Sequence, residues 1–374
     1  MSPQAFPVAA VYDRRLERTA VIDRRYSMCP VGAQSCCAQA ERSEASRFQV
    51  PRNPGSPGLG AASLRPYIAI LLLLFTAPSL PAADVSSELA PLAAKSLLLD
   101  ITRAGERLVA VGDRGHVLLS DDDGRTWRQV VVPTRAMLTG VSFGDAQHGW
   151  AVGHDGVILA TADGGATWGH QDPGSDLETI YLDVFFSAPQ YGLAVGAYGK
   201  CLFTMDGGKT WQPAAAIPDE AHVNQIGPTK TDRVYLAGEA GTLLFSDDAR
   251  KDWKKCEVPY EGSFFGTLLL TDGRILAYGL RGHAFVSDDA AKTWTELEMP
   301  AAVLIMAGVQ LKSGVVILAG AGGNFFISKD GAKTFAHWKP ADYLGGVSAL
   351  LETSDGALLA VGESGVVRLQ LPLK

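Results

Sequence analysis

From about residue 98 to the C-terminus, short apolar runs alternate with tight breaks rich in Gly, Asp and Ser. The runs are rich in Val, Leu, Ile and Phe, and glycine bounds them. At this length they read as strands rather than helices. Leu108–Val111 and Val117–Ser120 are typical, with Gly112-Asp113-Arg114-Gly115 between them. The same Gly-x-x-Gly break recurs seven times, with first glycines at 112, 153, 196, 238, 279, 320 and 362. Glycine at both ends of a two-residue tip is expected to supply the positive φ of a hairpin turn. Each repeat has room for four strands. In the second they fall near Leu138–Phe143, Gly149–Val152, Val157–Thr161 and Trp168–Gln171. Four strands in roughly 42 residues is the size of one propeller blade. The pattern therefore predicts an all-β chain, a seven-bladed β-propeller of four-stranded antiparallel blades over residues 84–374.

A second motif follows six of the seven tips. Ser120 to Trp127 fits S/T-x-D-x-G-x-T-W, as do Thr161 to Trp168 and Thr204 to Trp211. Three copies are worn. Ser246 to Trp253 carries Arg250 and Asp252 in place of Gly and Thr, Ser287 to Trp294 carries Ala291, and Ser328 to Phe335 carries Ala332 and Phe335. This is the Asp box. Its carboxylate and hydroxyls can cap the backbone donors of a tight hairpin, and its aromatic can pack between sheets. Asp122, Asp163, Asp206, Asp248 and Asp289, with Trp127, Trp168, Trp211, Trp253 and Trp294, are accordingly read as structural. One carboxylate per blade, on turns far apart, suits neither catalysis nor a metal.

The seventh unit lacks a fourth strand. A spare segment, Ser87 to Leu92, precedes the first unit. It is expected to pair with Val366–Leu371 as the outer strand of the last blade, closing the ring and covering an open edge.

Composition divides the chain. Residues 1–83 carry nine arginines and five acids, whereas the remainder holds 24 basic and 35 acidic residues, a net of −11. That balance argues against nucleic acid as the partner. Arg65 precedes an apolar run, Ile68 to Ala77, and then Pro78-Ser79-Leu80-Pro81-Ala82-Ala83. A positive residue, a short apolar core and a small-residue end make a secretory signal over 65–83, with cleavage after Ala82 or Ala83. Such a run is too short to span a bilayer. Residues 1–64 show no strand or helix period and read as an over-called start or a disordered leader. The mature chain is expected to be exported, soluble and periplasmic. Only Cys201 and Cys256 lie in the repeats, which gives neither a disulfide framework nor a zinc spacing.

No other chemistry stands out. The histidines of the repeats lack metal-ligand spacing, and no phosphate-cradling loop opens a helix. No cofactor or metal is expected. Recognition is expected at the Gly-x-x-Gly tips and nearby loops, where the units differ: Arg114, His154, Asp155, Tyr198, Glu239 and Arg281, with Arg135 beside them.

With its Asp boxes and the strand Gly149-Trp150-Ala151-Val152-Gly153, the sequence resembles the photosystem II stability/assembly factor family over about residues 86–374. The resemblance implies an exported seven-bladed propeller with sialidase-type repeats, acting without catalysis as a monomeric platform. The implied partner is a protein, a membrane complex or its subunit. Photosynthetic members carry an arginine cluster on one face. Here Arg114 and Arg281 alone hold the third tip position, the other units having Asp155, Tyr198, Ala240, Gly322 and Ser364. The alternative is a sialidase-like glycoside hydrolase or a carbohydrate-binding propeller, since Asp boxes also occur there. A sialidase needs an arginine triad, a Tyr–Glu pair and an Asp acid/base. The repeats contain eleven arginines and no Phe-Arg-Ile-Pro motif.

Overall fold

The computed structural model describes residues 86–228, 233–341 and 343–372. The expectations for the leader at 1–64 and the signal at 65–83 fall outside the described residues. Seven antiparallel sheets follow one another along the chain, six of four strands and the last of three. Strands a to d run in order within each blade. Blade one, for example, is Leu98–Ala104, Arg107–Gly112, Val117–Ser120 and Arg128–Val130. The a strands pack on one another around a central channel, and seven apolar clusters fill the seven junctions between blades. Apolar side chains on both faces of a sheet thus have a neighbouring sheet to meet, which is why the middle strands read as continuous apolar runs.

Every a strand carries a bulge near its start. In blade one Leu98 faces Gly112 and Asp100 faces Val111, leaving Leu99 unpaired. The equivalent extra residues are Thr139, Leu182, Asn224, Phe265, Met306 and Ser348. All seven line a cavity of about 190 Å³ in the channel.

The bulge explains the first glycine of each tip. That residue is extended, with φ −177° at Gly112 and −173° at Gly320. Of the two glycines expected to have positive φ only the fourth does, as at Gly115 (68°), and the third position joins it, as at Arg114 (54°). What the first glycine supplies is close approach. A Cβ on Gly112, Gly153, Gly196, Gly238, Gly279, Gly320 or Gly362 would lie well under 3.0 Å from a carbonyl oxygen just before the bulge.

The box loops explain the second motif. Asp122 Oδ1 accepts the amides of Arg125 and Thr126, its Oδ2 accepts the Thr126 hydroxyl at 2.6 Å, and Ser120 Oγ accepts the Gly124 amide. The Thr amide and hydroxyl bonds recur at Asp163, Asp206, Asp289 and Asp330. The Thr hydroxyl and amide hold the Asp122, Asp289 and Asp330 carboxyls well below the usual range. In the worn fourth box Arg250 grips Asp248 instead. Each box aromatic packs at the junction with the preceding blade, as Trp168 does against Val109 and Leu119 of blade one.

The ring closes differently from the expectation. No strand of the described residues lies outside Gly365–Leu369, and the seventh sheet stays three-stranded. Ser87 turns toward blade one: its amide donates to Val132 O, and its Oγ accepts the Val132 amide. Gln129 then holds Glu88 O and Ala90 N. Pro91 has no N–H to give a ladder, and the chain turns through a 3₁₀ helix, Ala93–Lys95, set against Gly365. This helix stands where a d-to-a loop packs on the tip in the other blades. Side-chain packing completes the closure: Ala93, Leu98 and Leu118 meet Leu359 and Val361. Removing residues 86–95 strips this wedge and is expected to lower Tm by roughly 10 °C, given about 2–4 °C per kcal/mol in a domain of this size. Differential scanning calorimetry of the truncated and full chains checks it.

Candidate functional site

The fold puts the bc tips and the da loops at one end of the ring and the box loops at the other. Each fourth tip glycine sits against the following da loop: Gly115 on Thr134, Gly156 on Asp176, Gly199 on Glu220, Gly282 on Ala301. A rigid ring therefore presents one face of turns whose third residue is forced outward in the left-handed region. Arg114, Asp155, Tyr198, Ala240 and Arg281 all have φ between 50° and 59°. A non-glycine residue pays strain there, most of all an aromatic.

The seven residues singled out from the sequence share this face, spread over blades one to five. Arg114 is highly exposed and leans toward its own Asp113 at 3.6 Å. Arg281 and Asp155 are exposed, and His154 is half-buried. Tyr198 is 55% exposed and meets the His222 ring edge-on, with centroids 4.6 Å apart. Two of the seven serve the scaffold. Glu239 accepts the His222 amide at 3.0 Å. Arg135 is tied to the N-terminal segment through Ser86 O and Glu88, each at 2.9 Å. Tyr260 reinforces the Arg281 end of the face, its ring 4.4 Å from that of His283 and its hydroxyl donating to Leu280 O.

The channel holds what sequence reasoning missed. Asp100 and Asp183 follow the bulges of blades one and three. Asp100 accepts the Ile101 amide and, from blade two, the Val141 amide, each at 2.8 Å. Asp183 accepts Val184 in its own blade and Ile226 in blade four. Gln225 continues the pattern by accepting the Thr267 amide of blade five. These side chains stitch neighbouring blades through inner-strand amides. Burial pushes both carboxyls up, and for Asp183 the charge of Asp100 adds to it. Among the described residues no Lys, Arg or His lines the cavity to offset them. A signal existed in Leu98-Leu99-Asp100-Ile101 and Tyr181-Leu182-Asp183-Val184, an acid inside an apolar strand, where charge is rare unless paired.

Among the described residues, no three His, Cys, Asp or Glu side chains gather as a metal site. Cys201 and Cys256 are buried free thiols, and burial pushes both up to about 12. No described helix is long and apolar enough to cross a membrane.

Seven blades with Asp-box turns at one end of the ring and variable Gly-x-x-Gly tips at the other define a β-propeller of the Asp-box class. The chain belongs to the family of the photosynthesis system II assembly factor YCF48, whose model matches residues 119–177 and 173–365. Two curated relatives are similar over a short stretch. The photosystem II stability/assembly factor HCF136 of Cyanidioschyzon merolae is 47% identical over 47 residues, 12% of this chain and 11% of that protein. The photosystem II assembly protein Ycf48 of Thermosynechococcus vestitus is 41% identical over 46 residues, 12% of this chain and 13% of that one. The matches thus span about an eighth or less of either relative. A solved structure described as YCF48 bound to D1 peptide superposes with TM-score 0.64 at 20% identity, over 79% of this chain and 97% of that one. A glycoside hydrolase, the GH74 xyloglucanase of Xanthomonas campestris, shares the propeller at TM-score 0.58 and 15% identity over 75% of this chain and 52% of that one. At these identities the two structures share the fold with this chain.

Proposed function

We propose that this chain is an exported, non-catalytic assembly platform that captures a segment of a membrane protein on the face of tips. The observation that carries the reading is the family match across most of the blades, joined to a rigid ring whose one variable face displays exposed Arg114, Tyr198 and Arg281. A rigid scaffold holds exposed loop residues ready, so little ordering entropy is spent on capture. The YCF48 structure with a D1 peptide is the precedent for a membrane-protein partner. The chain acts as a monomer in the periplasm or an equivalent compartment, after cleavage following Ala82 or Ala83.

The test is the double variant Arg114→Glu with Arg281→Glu. Both side chains are exposed, so the melting curve is expected to stay within about 1 °C of the parent, as surface changes usually do. Capture of partner from a crosslinked periplasmic extract is expected to fall at least about tenfold, the equivalent of 1.4 kcal/mol. Undiminished capture by a folded double variant would remove the tips from the proposal.

A further inference from the structure

We propose that the outer edge of blade seven, which no strand of the described residues covers, is a strand-addition site for an extended polypeptide. It lies apart from the tip face, and the proposal does not rest on the reading above. In six blades a d strand covers strand c. Its hydrogen bonds mark the slot: Ala214 N donates to Cys201 O, Cys256 N to Leu243 O and Leu297 N to Ala284 O, at 2.8–2.9 Å. In each case the acceptor is the first residue of strand c. Blade seven has strand c, Gly365–Leu369, and no d strand among the described residues. Its register with strand b pairs Gly362 with Gly365 and Val361 with Val366. Hydrogen bonding alternates along an antiparallel pair. Glu363 N bonds Gly346 O on the strand a side, which fixes the phase of that alternation. The N–H and C=O of Val366 and Arg368 therefore point to the open side.

The side chains agree. The residues of strand c nearest the tip are buried in blade one (Val117, Leu118) and in blade six (Phe325, Phe326). Val366 and Val367 are only half-buried, and Leu89 and Leu92 of the N-terminal segment are each 65% exposed. The 3₁₀ helix against Gly365 blocks one end of the slot, so an added strand has a fixed register starting at Val366. The d strands of the chain show what fits: two or three residues, polar outward, as in Arg128–Val130 and Thr295–Glu296. The partner is thus a short extended segment giving two backbone bonds to each outward residue, with an apolar side chain over the valines. This is strand addition at an exposed sheet edge.

The probe is a capped peptide of residues 128–133, Arg-Gln-Val-Val-Val-Pro, added to the full-length chain. Amide exchange at Val366 and Arg368 is read by NMR. In the free chain both are expected to exchange as edge amides, and saturating peptide is expected to slow them at least about tenfold. The same peptide N-methylated at alternate residues is expected to have no effect. Val366→Pro removes an outward donor and spares the bonds to strand b. That variant is expected to lose the peptide's effect while keeping its melting temperature. Amides already protected in the free chain, slowing equal with the N-methylated peptide, or no slowing by the unmodified peptide would each overturn the proposal. So would protection that rises with protein concentration alone, since a second copy would then be the occupant.

Discussion

Gly320→Val is expected to cost about 3 kcal/mol or more, the upper range for overpacking a core, and so to lower Tm by roughly 6–12 °C. Gly320 is extended, so the penalty does not come from φ. It comes from the bulge at Met306, which brings Leu304 O to where a Cβ would stand. Leu304 O is also the acceptor of the Ala321 amide, so the carbonyl cannot swing aside without losing a bond. Relief would require strand a of blade six to move off strand b, opening the packing of Ile305, Leu318 and Phe326. Gly169→Ala is the control. Nothing lies within 4 Å of a Cβ there, and less than about 1 kcal/mol is expected. Thermal unfolding of the two variants against the parent separates close approach from a general glycine effect.

Stability is expected to fall as pH rises from mildly acidic to neutral. Burial moves the Asp100 carboxyl from its ordinary 3.8 up to about 7, and Asp183 is raised in the same way. A raised folded value means that the native state holds more protons than the unfolded chain above pH 3.8. The associated stability is complete below that pH and is lost as pH climbs through the folded value. Each proton so held gives a slope of about −1.4 kcal/mol per pH unit. The box carboxylates act in the opposite sense. Asp122, Asp289 and Asp330 are held low, so their contribution is present above the ordinary value and lost in acid. The two sets together place the maximum just above the ordinary carboxylate range. Denaturant unfolding at pH 4.5, 6 and 7.5 checks the trend. In Asp183→Asn the slope is expected to flatten by about one proton. The amide also turns a donor toward either Val184 N or Ile226 N, so one of the two hydrogen bonds is lost. A flat profile in the parent chain would mean that water reaches the pair.

The blades were legible because their signals are local. A four-residue apolar run, a glycine tip and an Asp box each span fewer than about ten residues, and seven copies reinforce one another. What was hidden depends on contacts between blades. The positive φ was assigned to both tip glycines and holds for the fourth position, whereas the first glycine answers to a carbonyl some fifteen residues earlier in the chain, just before the bulge of strand a. The Asp100 and Asp183 bonds reach amides about forty residues ahead. The closing segment was read as a strand because blade seven lacked one. The partner of Ser87, Val132, lies in blade one instead. On the tip face, Arg114, Tyr198 and Arg281 stood out because equivalent positions differ between units. Glu239 and Arg135 stood out equally, yet their hydrogen bonds belong to the scaffold. Sequence variation between repeats marks where a surface is free to differ, and it does not distinguish a side chain tied to the scaffold from one that is not.

On the function proposed above, the face of tips, and not the face of boxes, meets a membrane-protein partner. Site-specific photo-crosslinkers at position 114 or 281 on one face, and at Arg125 or Lys292 on the box loops of the other, test it in cells. A crosslinked membrane subunit is expected from 114 and 281 and none from 125 and 292. A subunit captured only from the box loops, or no membrane protein from either face, would contradict it.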